Sequence, residues 1–81
     1  MKKVLFLCTG NSARSIISEC LLNQMGKNRY QAFSAGSKPV GKVNPYSIKV
    51  LEKNNINHES VSSKSWDNFS DTMFDTVVTV C

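Results

Sequence analysis

Three observations predict an α/β fold with a parallel sheet and flanking helices. Short apolar runs rich in Val, Leu and Phe or β-branched residues occupy residues 3–7 and 76–80, a three-and-four apolar spacing follows the first run directly, and Asn44-Pro45 marks a second helix start. Strand, helix, strand, helix, strand is the order of a parallel α/β sheet, whose crossovers are expected to be right-handed.

Each element has its own signal. Residues 3–7 form a continuous apolar run closed by Cys8-Thr9-Gly10-Asn11, as expected of a buried central strand ending in a turn. From Ala13 to about Met25, Ile17, Cys20, Leu21 and Met25 recur at helical spacing and predict one buried stripe, with Gly26 as the stop. Residues 30–35 alternate loosely and contain aromatics, so a second strand is expected there, followed by a loop over 36–41 that holds Pro39 and two glycines. Asn44 is a good cap and Pro45 suits the first helical position, where no amide donor is needed. Ile48 and Leu51 supply the apolar side of that helix, and Asn54-Asn55 end it. Residues 60–64 are polar, Trp66 and Phe69 are spaced as on a short helical turn packed into the core, and residues 76–80 read as a third buried strand. Three such strands leave a sheet edge uncovered. The expectation is therefore a single domain over 1–81 that is incomplete, truncated after its third strand, or dependent on a partner or self-association.

Composition narrows the function. At 81 residues and 41% hydrophobic content the chain makes one small domain, burying roughly 60% of its unfolded surface. Ten Lys and Arg against six Asp and Glu give a net charge of +4 spread along the chain, which favours small anions and argues against nucleic acid. The apolar run after Lys2 and Lys3 is too short for a signal peptide, and nothing approaches a membrane span, so a cytoplasmic protein with no membrane role is expected. Three cysteines at irregular spacing form neither a disulfide framework nor a zinc site, and no metal or cofactor is expected.

The chemistry is concentrated in Cys8-Thr9-Gly10-Asn11-Ser12-Ala13-Arg14-Ser15. Open α/β sheets bind ligands at the carboxyl ends of their strands, which is where Cys8 falls. Backbone amides from Thr9 through Gly10, Asn11, Ser12 and Ala13 to Arg14 are suited to curl around a tetrahedral oxyanion at the start of a helix. Gly10 and Asn11 tolerate the left-handed angles of a tight loop. Arg14 has the planar fork to clamp two anion oxygens. The same positive field is expected to favour a Cys8 thiolate, with the Ser15 hydroxyl donating to it. No Gly-Lys-Ser or Gly-Lys-Thr follows, which excludes a Walker loop.

This loop after an apolar strand resembles the Cys-x5-Arg-Ser loop of the low-molecular-weight tyrosine phosphatase fold. Within that superfamily it is most similar to the thioredoxin-coupled arsenate reductases. Ser34-Ala35-Gly36, Asn44-Pro45 and Val77-Val78-Thr79-Val80-Cys81 extend the likeness over essentially the whole chain. The phosphatases of the fold usually carry Ile-Cys-Arg-Ser-Pro where this chain has Ser12-Ala13-Arg14-Ser15-Ile16, which favours the reductase.

The resemblance implies that Cys8 attacks arsenate, that the loop and Arg14 stabilise the adduct, and that Cys81 then attacks Cys8 to release arsenite and leave a disulfide. The family passes the bridge to a third cysteine and on to thioredoxin or another thiol reductant; this chain has no cysteine beyond Cys81. Cys20, on the apolar stripe, is expected to be inert. The family's general acid is an Asp before Pro, and no Asp precedes Pro39 or Pro45, so phosphatase turnover is expected to be impaired. Asp67, Asp71 and Asp75 read as caps or solvated carboxylates, His58 as solvated, and Tyr30 and Tyr46 as structural. Two alternatives stand beside the reductase: a low-molecular-weight tyrosine phosphatase working through a Cys8 phosphocysteine, and an oxyanion-binding module without turnover.

Overall fold

The computed structural model describes residues 1–10, 13–58 and 61–80. Strand β1 (Lys2–Cys8) lies between β2 (Tyr30–Gly36) and β3 (Thr76–Thr79), and both pairings are parallel. The register places Leu5 between Phe33 and Val77, and Leu7 between Ala35 and Thr79. The apolar run of β1 is explained by this central place, which buries Val4 and Leu5.

Helix α1 (Arg14–Met25) crosses from β1 to β2. Its buried side is Ser15, Ile16, Glu19 and Cys20; of the stripe that the apolar spacing predicts, Cys20 is buried and Ile17 borders the core, whereas Leu21 and Met25 are not part of it. Leu21 and Met25 are exposed, Met25 to 79%. The face turns toward the sheet because polar side chains there find partners: Ser34 of β2 donates to the Glu19 carboxylate. Asn23 reads the outer edge of β2, its Oδ1 accepting from the Ala32 amide at 2.8 Å and its Nδ2 donating to the Ala32 carbonyl at 3.2 Å. That side-chain pairing covers part of the β2 edge, whose end at Gly36 is covered by residues 64–65. Gly26 ends α1 with φ −114°, so left-handed freedom is not its reason. A Cβ there would stand 2.8 Å from the Tyr30 ring and 3.3 Å from the Leu22 carbonyl, so a larger residue would make the Tyr30 side chain shift.

Helix α2 (Pro45–Lys53) begins and ends on local signals. The Asn44 side chain accepts from the Tyr46 amide at 2.9 Å, with Pro45 in the first turn. At the other end Asn55 adopts φ 57°, and the amides of Asn55 and Ile56 donate to the carbonyls of Glu52 and Leu51. This is the Schellman arrangement with asparagine at the left-handed position. It folds Ile56 back onto Leu51, and the two join Ile16 and Cys20 in the buried core, bordered by Ile17, Val43 and Val61.

A single 3-10 turn (Trp66–Phe69) follows, capped by the Ser65 hydroxyl on the Asp67 amide. Phe69 meets Phe33 and Phe74 edge to face at centroid distances of 5.5–5.7 Å. Trp66 is not core as expected but half exposed. Strand β3 is likewise not a buried strand; Thr76, Val77 and Thr79 are exposed because β3 forms one edge of the sheet among the described residues. Asp75 anchors its start, accepting from the Lys3 amide through Oδ2 at 2.7 Å and donating its own amide to the Lys3 carbonyl at 2.9 Å.

Candidate functional site

Cys8 ends β1 and is half-buried, and Thr9 and Gly10 turn away from the sheet. The carbonyls of these three residues are all engaged from one side. Ser37 donates its amide to Cys8 at 3.2 Å, Lys38 to Thr9 at 3.0 Å, and Val40 to Gly10 at 3.0 Å, while the Ser63 hydroxyl adds a second bond to Gly10 at 3.0 Å. In a planar trans peptide the N–H points opposite to the preceding carbonyl. Drawing the Cys8 and Thr9 carbonyls toward residues 37–38 therefore turns the Thr9 and Gly10 amides to the other side, the orientation an anion-binding loop needs.

Helix α1 starts at Arg14, four residues after Gly10. Its N-cap is Ala13, which has no side-chain acceptor, and its first turn contains no acidic residue. Helix N-termini leave amide donors unpaired and carry partial positive charge, so this end is suited to an external anion. Arg14 is the first helical residue and is exposed; its carbonyl accepts from the Ser18 hydroxyl at 2.9 Å. Ser15 is fully buried in the same turn. Leu7, Cys8, Thr9, Ser37, Trp66 and Thr79 line a shallow, mostly apolar depression, so the exposed indole stands beside the cysteine's strand end. Asn11, Ser12 and Cys81 lie outside the described residues.

A polar cluster that no local sequence pattern announces joins α1, β2 and Lys64. Glu19 accepts from Ser34, and the Lys64 ammonium stands 3.9 Å from its Oε1. Burial raises the Glu19 pKa above 4.5, with the Ser34 hydrogen bond and Lys64 pulling it back. Burial likewise lowers Lys64 from its ordinary value, opposed by the charges of Glu19 and Cys20. Cys20 is pushed up to about 11, first by burial and then by Glu19. The nearest signal for this cluster was a Glu at helical spacing from two buried-face positions, four residues after Ser15 and three after Ile16, but its partners Ser34 and Lys64 are distant in sequence. His58 is remote from the loop, its Nε2 3.5 Å from Glu52 Oε1. Among the described residues no group of three or more His, Cys, Asp or Glu could hold a metal ion, and no helix is long and apolar enough to cross a membrane.

A parallel sheet of order β2-β1-β3 with a cysteine-led loop entering α1 defines the low-molecular-weight tyrosine phosphatase class of α/β domain. Residues 3–81 match the family described as low molecular weight phosphotyrosine protein phosphatase, and the chain belongs to it. An arsenate reductase of Bacillus cereus (strain G9842) is 38% identical over 80 residues, which is 99% of this chain and 59% of that relative. The chain thus spans well under two thirds of the length of such relatives. A solved arsenate reductase in the phosphate binding state superposes with a TM-score of 0.90 at 31% identity, over 100% of this chain and 61% of that one. The thioredoxin-dependent arsenate reductase of Corynebacterium glutamicum gives 0.89 at 28% identity, over 98% of this chain and 40% of that one.

Proposed function

We propose that the chain binds arsenate in the loop from Cys8 to Ser15 and carries out the reductive half-reaction of a thioredoxin-coupled arsenate reductase. The observation that supports this most is the set of carbonyls at Cys8, Thr9 and Gly10 engaged by residues 37–40 and Ser63, shortly before a helix whose N-cap residue, Ala13, makes no side-chain capping bond. A relative and two structural neighbours named as arsenate reductases support the choice of oxyanion.

In this reading the Cys8 thiolate attacks arsenic and displaces hydroxide, which leaves as water after protonation. Amides of Thr9, Gly10, Asn11, Ser12, Ala13 and Arg14 and the Arg14 guanidinium hold the oxygens. Ser15 donates to the Cys8 sulfur and keeps it ionised before attack. The Cys81 thiolate then attacks the Cys8 sulfur. The electrons of the sulfur–arsenic bond pass to arsenic, releasing arsenite and leaving a Cys8–Cys81 disulfide. Thioredoxin or another dithiol reductant restores both thiols by exchange.

The family match favours a second reading, in which the same loop takes a phosphoryl group onto Cys8 and water releases phosphate. The two differ in their products. Intact-mass spectrometry of the reduced chain after one exposure to arsenate, with arsenite quantified and disulfides mapped, should give stoichiometric arsenite and a Cys8–Cys81 bridge. Cys8→Ser should abolish both, and Arg14→Ala should weaken oxyanion binding by about tenfold or more, as for a lost charged hydrogen bond. Free thiols and no arsenite, with phosphate released from an aryl phosphate, would replace the reductase by the phosphatase; binding with neither product would leave an oxyanion-binding module.

A further inference from the structure

The loop over residues 36–41 supplies three of the amides that hold the carbonyls of Cys8, Thr9 and Gly10, so whatever fixes that loop also fixes the anion site. It is tied down at both ends by one short segment. At its start the Gly36 amide donates to the Lys64 carbonyl at 2.9 Å, and Gly36 bridges to Ser65 in parallel fashion. At its end the Gly41 amide donates to the Ser63 hydroxyl at 3.2 Å. Gly41 has φ +85°, a conformation that a side chain would strain, and that turn aims its amide at Ser63. The same hydroxyl donates to the Gly10 carbonyl at 3.0 Å, 53 residues away in sequence.

We propose that Ser63 is a positioning residue for oxyanion binding: its hydroxyl couples the Gly41 end of the bracing loop to Gly10 of the anion loop. Only a group that accepts and donates at once can close this bridge, and a hydroxyl does both. The inference rests on the reading of the Cys8 loop as an oxyanion site and adds a residue that acts on it without touching the anion.

The probe is inorganic phosphate, its dissociation constant read from protection of Cys8 against iodoacetamide, with labelling assigned by peptide mass. Ser63→Ala and Ser63→Val should each weaken phosphate about tenfold, the scale of one lost hydrogen bond with its partners left unpaired. Ser63→Thr has the shape of the Val variant but keeps the hydroxyl, and should stay within about twofold of the parent by the same scale. A merely structural role would shift the unfolding midpoint and leave the constant of the folded chain unmoved. In the unsubstituted protein, saturating phosphate should slow hydrogen exchange at the Gly41 amide, because coupling between two sites is reciprocal. Ala and Val variants with the parent's constant, a Thr variant as weak as Val, or Gly41 exchange indifferent to phosphate would each overturn the assignment. Failure of the underlying site reading shows separately, as a parent chain in which phosphate gives Cys8 no protection.

Discussion

The Val80 amide donates to the Leu7 carbonyl at 2.9 Å, which carries the chain past the end of β3 alongside the residue before Cys8. With Leu7 opposite Thr79, the last described residue before Cys81 is tied one position from the proposed nucleophile. Adjacent strands lie about 4.8 Å apart, so Val80 runs beside the strand end that carries Cys8.

Removing that hydrogen bond should slow the bridge. Val80→Pro lacks the amide donor and, in a chain oxidised by a mild thiol oxidant, should form the Cys8–Cys81 disulfide about tenfold more slowly, a modest share of what positioning contributes to such reactions. Alkylation of Cys8 in the same variant should be unchanged. Peptide mapping of timed samples gives both rates, and equal bridging rates in the two proteins would dissociate the strand end from the redox step.

Cys20 should be the slow thiol. Its pKa, pushed up to about 11 by burial and by Glu19, keeps it protonated at neutral pH, and the thiolate is the reactive form. Iodoacetamide at pH 8 should label Cys8 well before Cys20, and Cys20 labelling should climb as pH approaches 11. Comparable labelling of the two at pH 8 would contradict the buried environment.

The Glu19–Lys64 pair predicts a pH-dependent stability. A carboxyl whose folded pKa lies above its ordinary 4.5 binds its proton more tightly in the folded state, so stability is lost as pH rises from 4.5 through the folded value. Lys64 offsets part of that loss, its side chain and that of Glu19 being only 18% and 9% exposed. Lys64→Met should therefore cost about 1–2 kcal/mol at pH 7, less than the full cost of breaking a tight buried pair. The deficit should shrink or reverse toward pH 4, where Glu19 is neutral. Urea unfolding across this range reads it, and a deficit constant with pH would show that the lysine acts by packing alone.

Much of the molecule is written locally. Asn44-Pro45 starts α2 and Asn54-Asn55 ends it because capping involves backbone groups within a few residues. The apolar run of β1 announces a central strand because burial on both faces requires it, and Cys8, followed by Gly10 and Arg14, is legible because a loop entering a helix is a local event. The buried face of α1 was legible only in part: apolar spacing selects Cys20 and Ile17, which do meet the core, but also Leu21 and Met25, which do not, whereas Glu19 is buried against groups brought in from β2 and from Lys64. A β-branched run at 76–79 cannot tell an edge from a centre, since propensity does not count neighbours. By itself, then, the sequence determined the elements, their order and the residues of the candidate loop. Only the tertiary structure decided which faces are buried and what braces the loop, because Ser63 and Gly10 meet through contacts 53 positions apart that no local pattern encodes.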